Sequence, residues 1–248
     1  PKIPISHTQS PELFSRIQAI TSSLPPIAYA PRTHGEIDHY GTAHTLSRAL
    51  GMDVPLQVYK TIHWTHATSD NRLIWREPAE VITAATCDYE DGGRSQLILL
   101  NNEREVDFLK KHGYRNLVAV GNPLLYESSK PVRRIAGSAL IMPPHSTTYC
   151  SIFDNKMTDK SGRDPGLLYP KKCAELKPHF SHLAACIGAS DVLHGNWMNA
   201  FEANDIPWLT GAWIFDSNAW LRMKRIFESF EYVITDAIGS HIFYALHC

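Results

Sequence analysis

Short apolar runs suited to buried strands alternate along this chain with longer stretches whose apolar positions recur every three or four residues. The second half shows this most sharply. Ser138–Met142, His182–Ile187, Pro207–Ala212 and Tyr232–Thr235 each have the length and composition of a buried strand. Between the last two, Leu221, Met223, Ile226, Phe227 and Phe230 recur at helical spacing. Helices are also expected over Leu167–Leu176, broken near Pro178, over Asp191–Ala203 with Ser190 as N-cap, and over Ile242–Leu246. In the first half, Leu13, Phe14, Ile17 and Ile20 give an apolar face to a helix over Pro11–Ser22. Strands are expected at Pro26–Ala30, Leu56–His63, Val81–Ala85, Gln96–Leu100 and Leu117–Val120. Two further helices fit Thr42–Leu50, closed by Gly51, and Asn102–His112, closed by Gly113. The second carries Glu103 and Glu105 at its start and Lys110 and Lys111 at its end, the charge order the helix dipole favours.

Strand–helix alternation in both halves implies an α/β protein with two Rossmann-like parallel-sheet domains. The stretch Leu124–Gly137 has Pro, Ser and basic residues and no periodicity, which makes it the expected linker. The expected division is residues 1–123, linker 124–137 and residues 138–248. The chain starts with Pro and stops within a helical pattern, so a piece of a longer protein is expected, its second domain lacking the last strand and helix.

Composition narrows the partners. The 248 residues are 44% hydrophobic and 20% charged, with net charge -1, so no general basic surface suggests nucleic acid. No apolar run approaches the ~18–20 residues of a transmembrane helix. Five scattered cysteines, an odd number with no Cys-x-x-Cys, fit a reduced, cytoplasmic protein. Cys173, His179, His182 and Cys186 could suggest zinc, but they straddle a helix break and a strand and need not point one way. No metal and no cofactor is expected.

Candidate chemistry lies where the strands of the second half end. His145-Ser-Thr147 follows the first strand, Ala189-Ser-Asp191 with His194-Gly-Asn196 the second, Gly211 to Asn218 the third and Asp236 to His241 the fourth. Loops at one edge of one parallel sheet converge, and doubly wound sheets bind ligands at that edge. The turn Asp236-Ala-Ile-Gly-Ser-His241 runs into a helix, so Gly239 and Ser240 could present backbone N–H groups and a hydroxyl to a phosphate. An ordinary Ser N-cap would give the same pattern. Neither a Gly-x-Gly-x-x-Gly nor a P-loop signature is present. Trp213, inside the Gly211–Asp216 turn, is the aromatic side chain singled out for stacking on a ligand.

The run Trp208–Leu246, with Gly211-Ala212, Asp216, Leu221-Arg-Met223, Phe227 and Thr235-Asp-Ala-Ile-Gly-Ser-His241, resembles the donor-binding half of bacterial surface-polysaccharide glycosyltransferases of the GT-B type. Its Thr-Asp-x-x-Gly-Ser turn is also similar to the Thr-Asp-Ser-Gly-Gly turn of sugar-nucleotide 2-epimerases, and departs from it at His241, where those enzymes continue with an acidic residue. The resemblance implies two Rossmann-like domains facing a cleft. The donor is then held by the second, through His145, Ser146, Thr147, Gly211, Trp213, Asp216, Gly239, Ser240 and His241. A nucleotide-sugar donor and a glycan or lipid-linked glycan acceptor are the implied partners, with peripheral membrane association through missing segments.

Such a transferase needs a general base for the acceptor hydroxyl, expected on a first-domain loop. His34, Glu36 and Asp38 fit that place, Asp38 and Glu36 being preferred, with His63 and His66 next and Asp88, Glu90 and Asp91 after them. A helix-capping role competes for Asp38. A nucleotide-sugar epimerase or hydrolase of the same fold, or a non-catalytic sugar-nucleotide or glycan-binding domain, are the alternatives.

Overall fold

The structure is a computed structural model that describes residues 3–5, 8–29, 39–52, 62–64, 97–128, 132–143, 165–236 and 240–248, with 39, 62–64, 165–167 and 240 described for the backbone alone. In chain order the elements begin with α1 (Pro11–Ser23), α2 (Thr42–Ala49), β1 (Ile62–Trp64), β2 (Leu97–Leu100), α3 (Glu103–Lys111) and β3 (Leu117–Ala119). They continue with β4 (Ile135–Met142), α4 (Pro165–Ala174), β5 (His182–Ile187), α5 (Ala189–His194) and α6 (Met198–Glu202). Last come β6 (Trp208–Thr210), α7 (Ala219–Ser229), β7 (Phe230–Thr235) and α8 (Ser240–His247). The result is a mixed α/β fold of Rossmann-like character, with interspersed helices and two sheets paired in parallel throughout.

The smaller sheet has the order β1-β2-β3. Ile98 and Leu100 of β2 bury against Val106 and Leu109 of α3 and Tyr114 beyond it. Helix α3 starts where the Asn102 side chain accepts a hydrogen bond from Glu105 N at 3.0 Å, an N-cap worth about 1 kcal/mol.

The larger sheet has the order β6-β5-β4-β7. The two inner strands are apolar over Ala139–Met142 of β4 and Leu183–Ile187 of β5, where both faces are covered, as parallel sheets require. Ala139 and Ile141 of β4, Ala185 and Ile187 of β5 and Trp208 of β6 pack with Cys173, Val192, Trp197 and Phe201 from α4 to α6. On the opposite face Leu140, Met142, Ala184, Cys186 and Leu209 meet Ile17 and Ile20 of α1, Met223, Ile226 and Phe227 of α7, and Tyr244 of α8. Each fully buried aliphatic side chain here contributes about 1.5–3 kcal/mol.

Several boundaries differ from expectation. Pro26–Ala30 is not a strand of either sheet: with two prolines lacking N–H donors at 25 and 26, the described part of the segment makes one antiparallel bridge, Tyr29 to Asp216. The expected helix over Asp191–Ala203 with a Ser190 cap is two helices, preceded by Gly188 and split where Gly195 (φ 78°) and Trp197 (φ 69°) take positive φ. Within the stretch expected as a linker, Pro123–Tyr126 forms a 3-10 turn whose Leu124 is fully buried in the core of the larger sheet. Strand β4 also begins at Ile135, three residues before its expected start at Ser138. Ile5 and residues 11–24, expected with the first half, pack on the larger sheet: α1 covers one face, and Ile5 O accepts from Thr210 N at 3.1 Å beside β6. The expected strand at Val81–Ala85 and the carboxylate-rich loop Cys87–Gly93 lie outside the described residues.

Candidate functional site

In the larger sheet the chain moves from β4 to β5 to β6 in one direction, then returns past β4 to β7. Helices α4 to α6 cover one face and α7 and α8 the other, so the crossovers diverge between β4 and β7. That gap at the carboxyl ends is the topological switch point, where open α/β sheets place ligands. β4 ends there at Met142, and His145, Ser146 and Thr147, which follow it in the sequence, lie outside the described residues. β7 ends there at Thr235 and Asp236; Gly239 lies outside the described residues, and the backbone of Ser240 opens α8. His241, in the first turn of α8, has Nε2 3.0 Å from Thr235 Oγ1, which ties the helix start to the end of β7. The hydroxyl pKa of Tyr169 in α4 is raised mainly by burial and further by Cys173 and Asp236.

The loop from β6 to α7 departs from expectation. Asp216 is fully buried and its carboxylate is saturated. Oδ1 accepts from Ala28 N at 2.9 Å and Asn218 N at 3.0 Å, and Oδ2 from Nε and Nη2 of Arg222 at 3.3 Å each. Expected at the donor, Asp216 instead knots three chain segments around a fully buried ion pair. Burial pulls the Arg222 pKa down, and Asp216 pulls it back up. Gly211 likewise answers to packing: a Cβ there would stand 2.8 Å from Cys186 Sγ, so glycine lets the backbone approach β5. Its own N–H donates to Ile187 O at 2.7 Å.

Trp213 is half-buried and belongs to a group of three rings. Its ring centroid is 5.2 Å from that of Phe215, edge-on, and 5.9 Å from that of Tyr29, which is 65% exposed. Sequence reasoning missed Tyr29 and Phe215 in this role. The signal was faint: three aromatic residues within two separated loops, joined by a bridge between Tyr29 and Asp216 that no periodicity announces.

His34, Glu36 and Asp38 lie outside the described residues, as do His66, Asp88, Glu90 and Asp91; His63 lies in β1, described for its backbone. The residues flanking 30–38 are described, and both ends rest on the β6–α7 loop. Ser217 N donates to Ala28 O at 2.9 Å, Tyr40 N donates to Ile214 O at 2.9 Å, and Gly41 (φ 70°) packs against the Ser217 backbone.

No protein-family model, curated protein or solved structure gives a significant match to this chain.

Cys173 and Cys186 lie on opposite faces of the larger sheet, so the Cys173, His179, His182 and Cys186 set does not converge. Among the described residues no group of three or more His, Cys, Asp or Glu side chains could hold a metal ion. Burial pushes the Cys173 thiol up to about 11 and that of Cys186 up to about 12. Among the described residues no helix is long and apolar enough to cross a membrane.

Proposed function

We propose that the chain is a glycosyltransferase of the GT-B type, moving a sugar from a nucleotide-sugar donor to a glycan or lipid-linked glycan acceptor in bacterial surface-polysaccharide synthesis. One observation carries this reading. The switch point of the larger sheet falls between β4 and β7, the two strands that His145, Ser146 and Thr147, and Gly239, Ser240 and His241, follow in the sequence. A helix N-terminus at such a crevice favours phosphate through its unpaired N–H groups and its dipole.

In this reading the donor diphosphate lies at the start of α8, against the Gly239 backbone and the Ser240 hydroxyl, with His145 to Thr147 opposite. Asp38 or Glu36, with His34 beside them, takes the proton of the acceptor hydroxyl as its oxygen attacks the anomeric carbon. The bond from that carbon to the diphosphate oxygen breaks, and its electron pair leaves with the nucleotide. The two-domain GT-B arrangement, a cytoplasmic setting and peripheral membrane association belong to the same proposal.

Thermal unfolding of the full chain with uridine, guanosine, adenosine, cytidine and deoxythymidine diphosphates tests the donor site, since a ligand of the folded state raises the midpoint. One of them should stabilise the chain, and Ser240→Ala should weaken that nucleotide by about 1–3 kcal/mol. The corresponding nucleotide sugar should be consumed when acceptor is present. Consumption without acceptor would favour an epimerase or hydrolase, and binding without turnover a sugar-nucleotide-binding module. A chain that binds none of the nucleotides refutes the reading.

A further inference from the structure

We infer that Tyr29, Trp213 and Phe215 form the stacking platform for the base of a nucleoside diphosphate whose phosphates lie at the switch point. The inference rests on the donor-site reading above and adds to it a place for the base and the residues that hold it.

Three observations carry it. The first is position. Trp213 and Phe215 follow β6, and α8 follows β7, so platform and helix start share the carboxyl edge of one parallel sheet. From the gap between β4 and β7 to β6 is two and a half strand spacings, about 12 Å at ~4.8 Å each. An extended nucleoside diphosphate spans a comparable distance from its phosphates to its base. The second is exposure. Tyr29 is 65% exposed although its ring is paired with Trp213, and among the described residues neither of these two rings joins a hydrophobic core. Aromatic area kept at the surface and outside the core marks a surface that receives something.

The third is rigidity. Asp216 N donates to Trp213 O at 3.0 Å, closing the turn that carries Trp213 and Phe215. The Asp216 carboxylate then fixes Ala28, and the bridge between Tyr29 and Asp216 sets the third ring against the first two. A platform ordered before binding loses little entropy when the ligand arrives. Tyr29 and Trp213 are inclined by 33°, with Tyr29 mostly exposed, so the pair keeps an aromatic face open to solvent, and Phe215 supports Trp213 edge-on at 77°. A planar base with two π-faces is the ligand part that fits such a face, whichever base it is.

The test is calorimetric titration of the full chain, and of folded Trp213→Ala and Tyr29→Ala variants, with the five nucleoside diphosphates and with inorganic pyrophosphate. The Tyr29 variant removes a mostly exposed ring and serves if Trp213→Ala does not fold. Loss of base stacking should weaken the best nucleoside diphosphate about 5- to 150-fold in Trp213→Ala, and by a smaller factor in Tyr29→Ala. Pyrophosphate, which has no base, should bind all three proteins alike. If the nucleotide binds wild type and variants equally, the base lies elsewhere and the inference falls while the donor-site reading stands. Equal losses for nucleotide and pyrophosphate mean a collapsed site and also refute stacking. If wild type binds no nucleotide, both the reading and the inference fall.

Discussion

Removing the Asp216 carboxylate should destabilise the chain more than its surface ion pairs could. Oδ2 lies 3.3 Å from two nitrogens of Arg222, and both side chains are fully buried. At an effective dielectric constant near 20 that separation corresponds to about 5 kcal/mol of attraction, much of it offset by desolvation of both groups. Breaking the pair is another matter, because Arg222 would remain charged at 0% exposure with Nη1 already lacking a hydrogen-bond partner among the described residues. An uncompensated buried charge costs about 3–5 kcal/mol. Asp216→Ala also leaves Ala28 N and Asn218 N without their acceptor, adding about 1 kcal/mol or more. The expected loss is therefore about 4–6 kcal/mol, a large part of the ~5–15 kcal/mol that holds a typical domain. Urea denaturation followed by circular dichroism measures it. Asp216→Asn should cost somewhat less, because its amide oxygen can still accept from Ala28. The double variant Asp216→Asn with Arg222→Met should be at least ~2 kcal/mol more stable than the sum of the single losses predicts. Single losses below ~1 kcal/mol that simply add would refute the coupling, and with it the role given to this node.

Gly211→Ala should cost about 1–3 kcal/mol through overpacking on Cys186 Sγ, and Cys186→Ala in the same chain should restore most of it, as read by thermal melts. Cys186 has a folded pKa of about 12 against an ordinary value of 9.0, so above pH 9 the unfolded chain binds fewer protons than the folded one and stability falls as pH rises. At pH 10 this amounts to about 1 kcal/mol, seen as a steeper decline in wild type than in Cys186→Ala between pH 8 and 10. Asp38→Asn or Glu36→Gln should leave nucleotide affinity intact and lower the transfer rate by ~10²–10⁴ if that residue is the base. Wild-type turnover in both would move the base to another group, and loss of folding in Asp38→Asn would favour the capping role.

The sequence by itself determined the elements whose signals are local. The short, mostly apolar runs Ser138–Met142 and His182–Ile187 pointed to buried strands, and both lie within strands of the larger sheet. Leu13, Ile17 and Ile20 at helical spacing, behind Ser10 and Pro11, set α1 to within a residue, and Gly113 and Gly51 closed their helices at positive φ. Tertiary structure decided what no local pattern carries. The strand order β6-β5-β4-β7, hence the position of the switch point, follows from which edges pair. Where α1 would dock depended on a sheet more than a hundred residues away, since its apolar stripe fits any apolar face. Asp216 was expected at the donor from the resemblance of its turn; only burial beside Arg222 and the backbone of Ala28 made it a structural knot. Tyr29 and Trp213 stand 184 positions apart in sequence (213 − 29) and meet because that knot draws their loops together, an encounter that only the folded chain could specify.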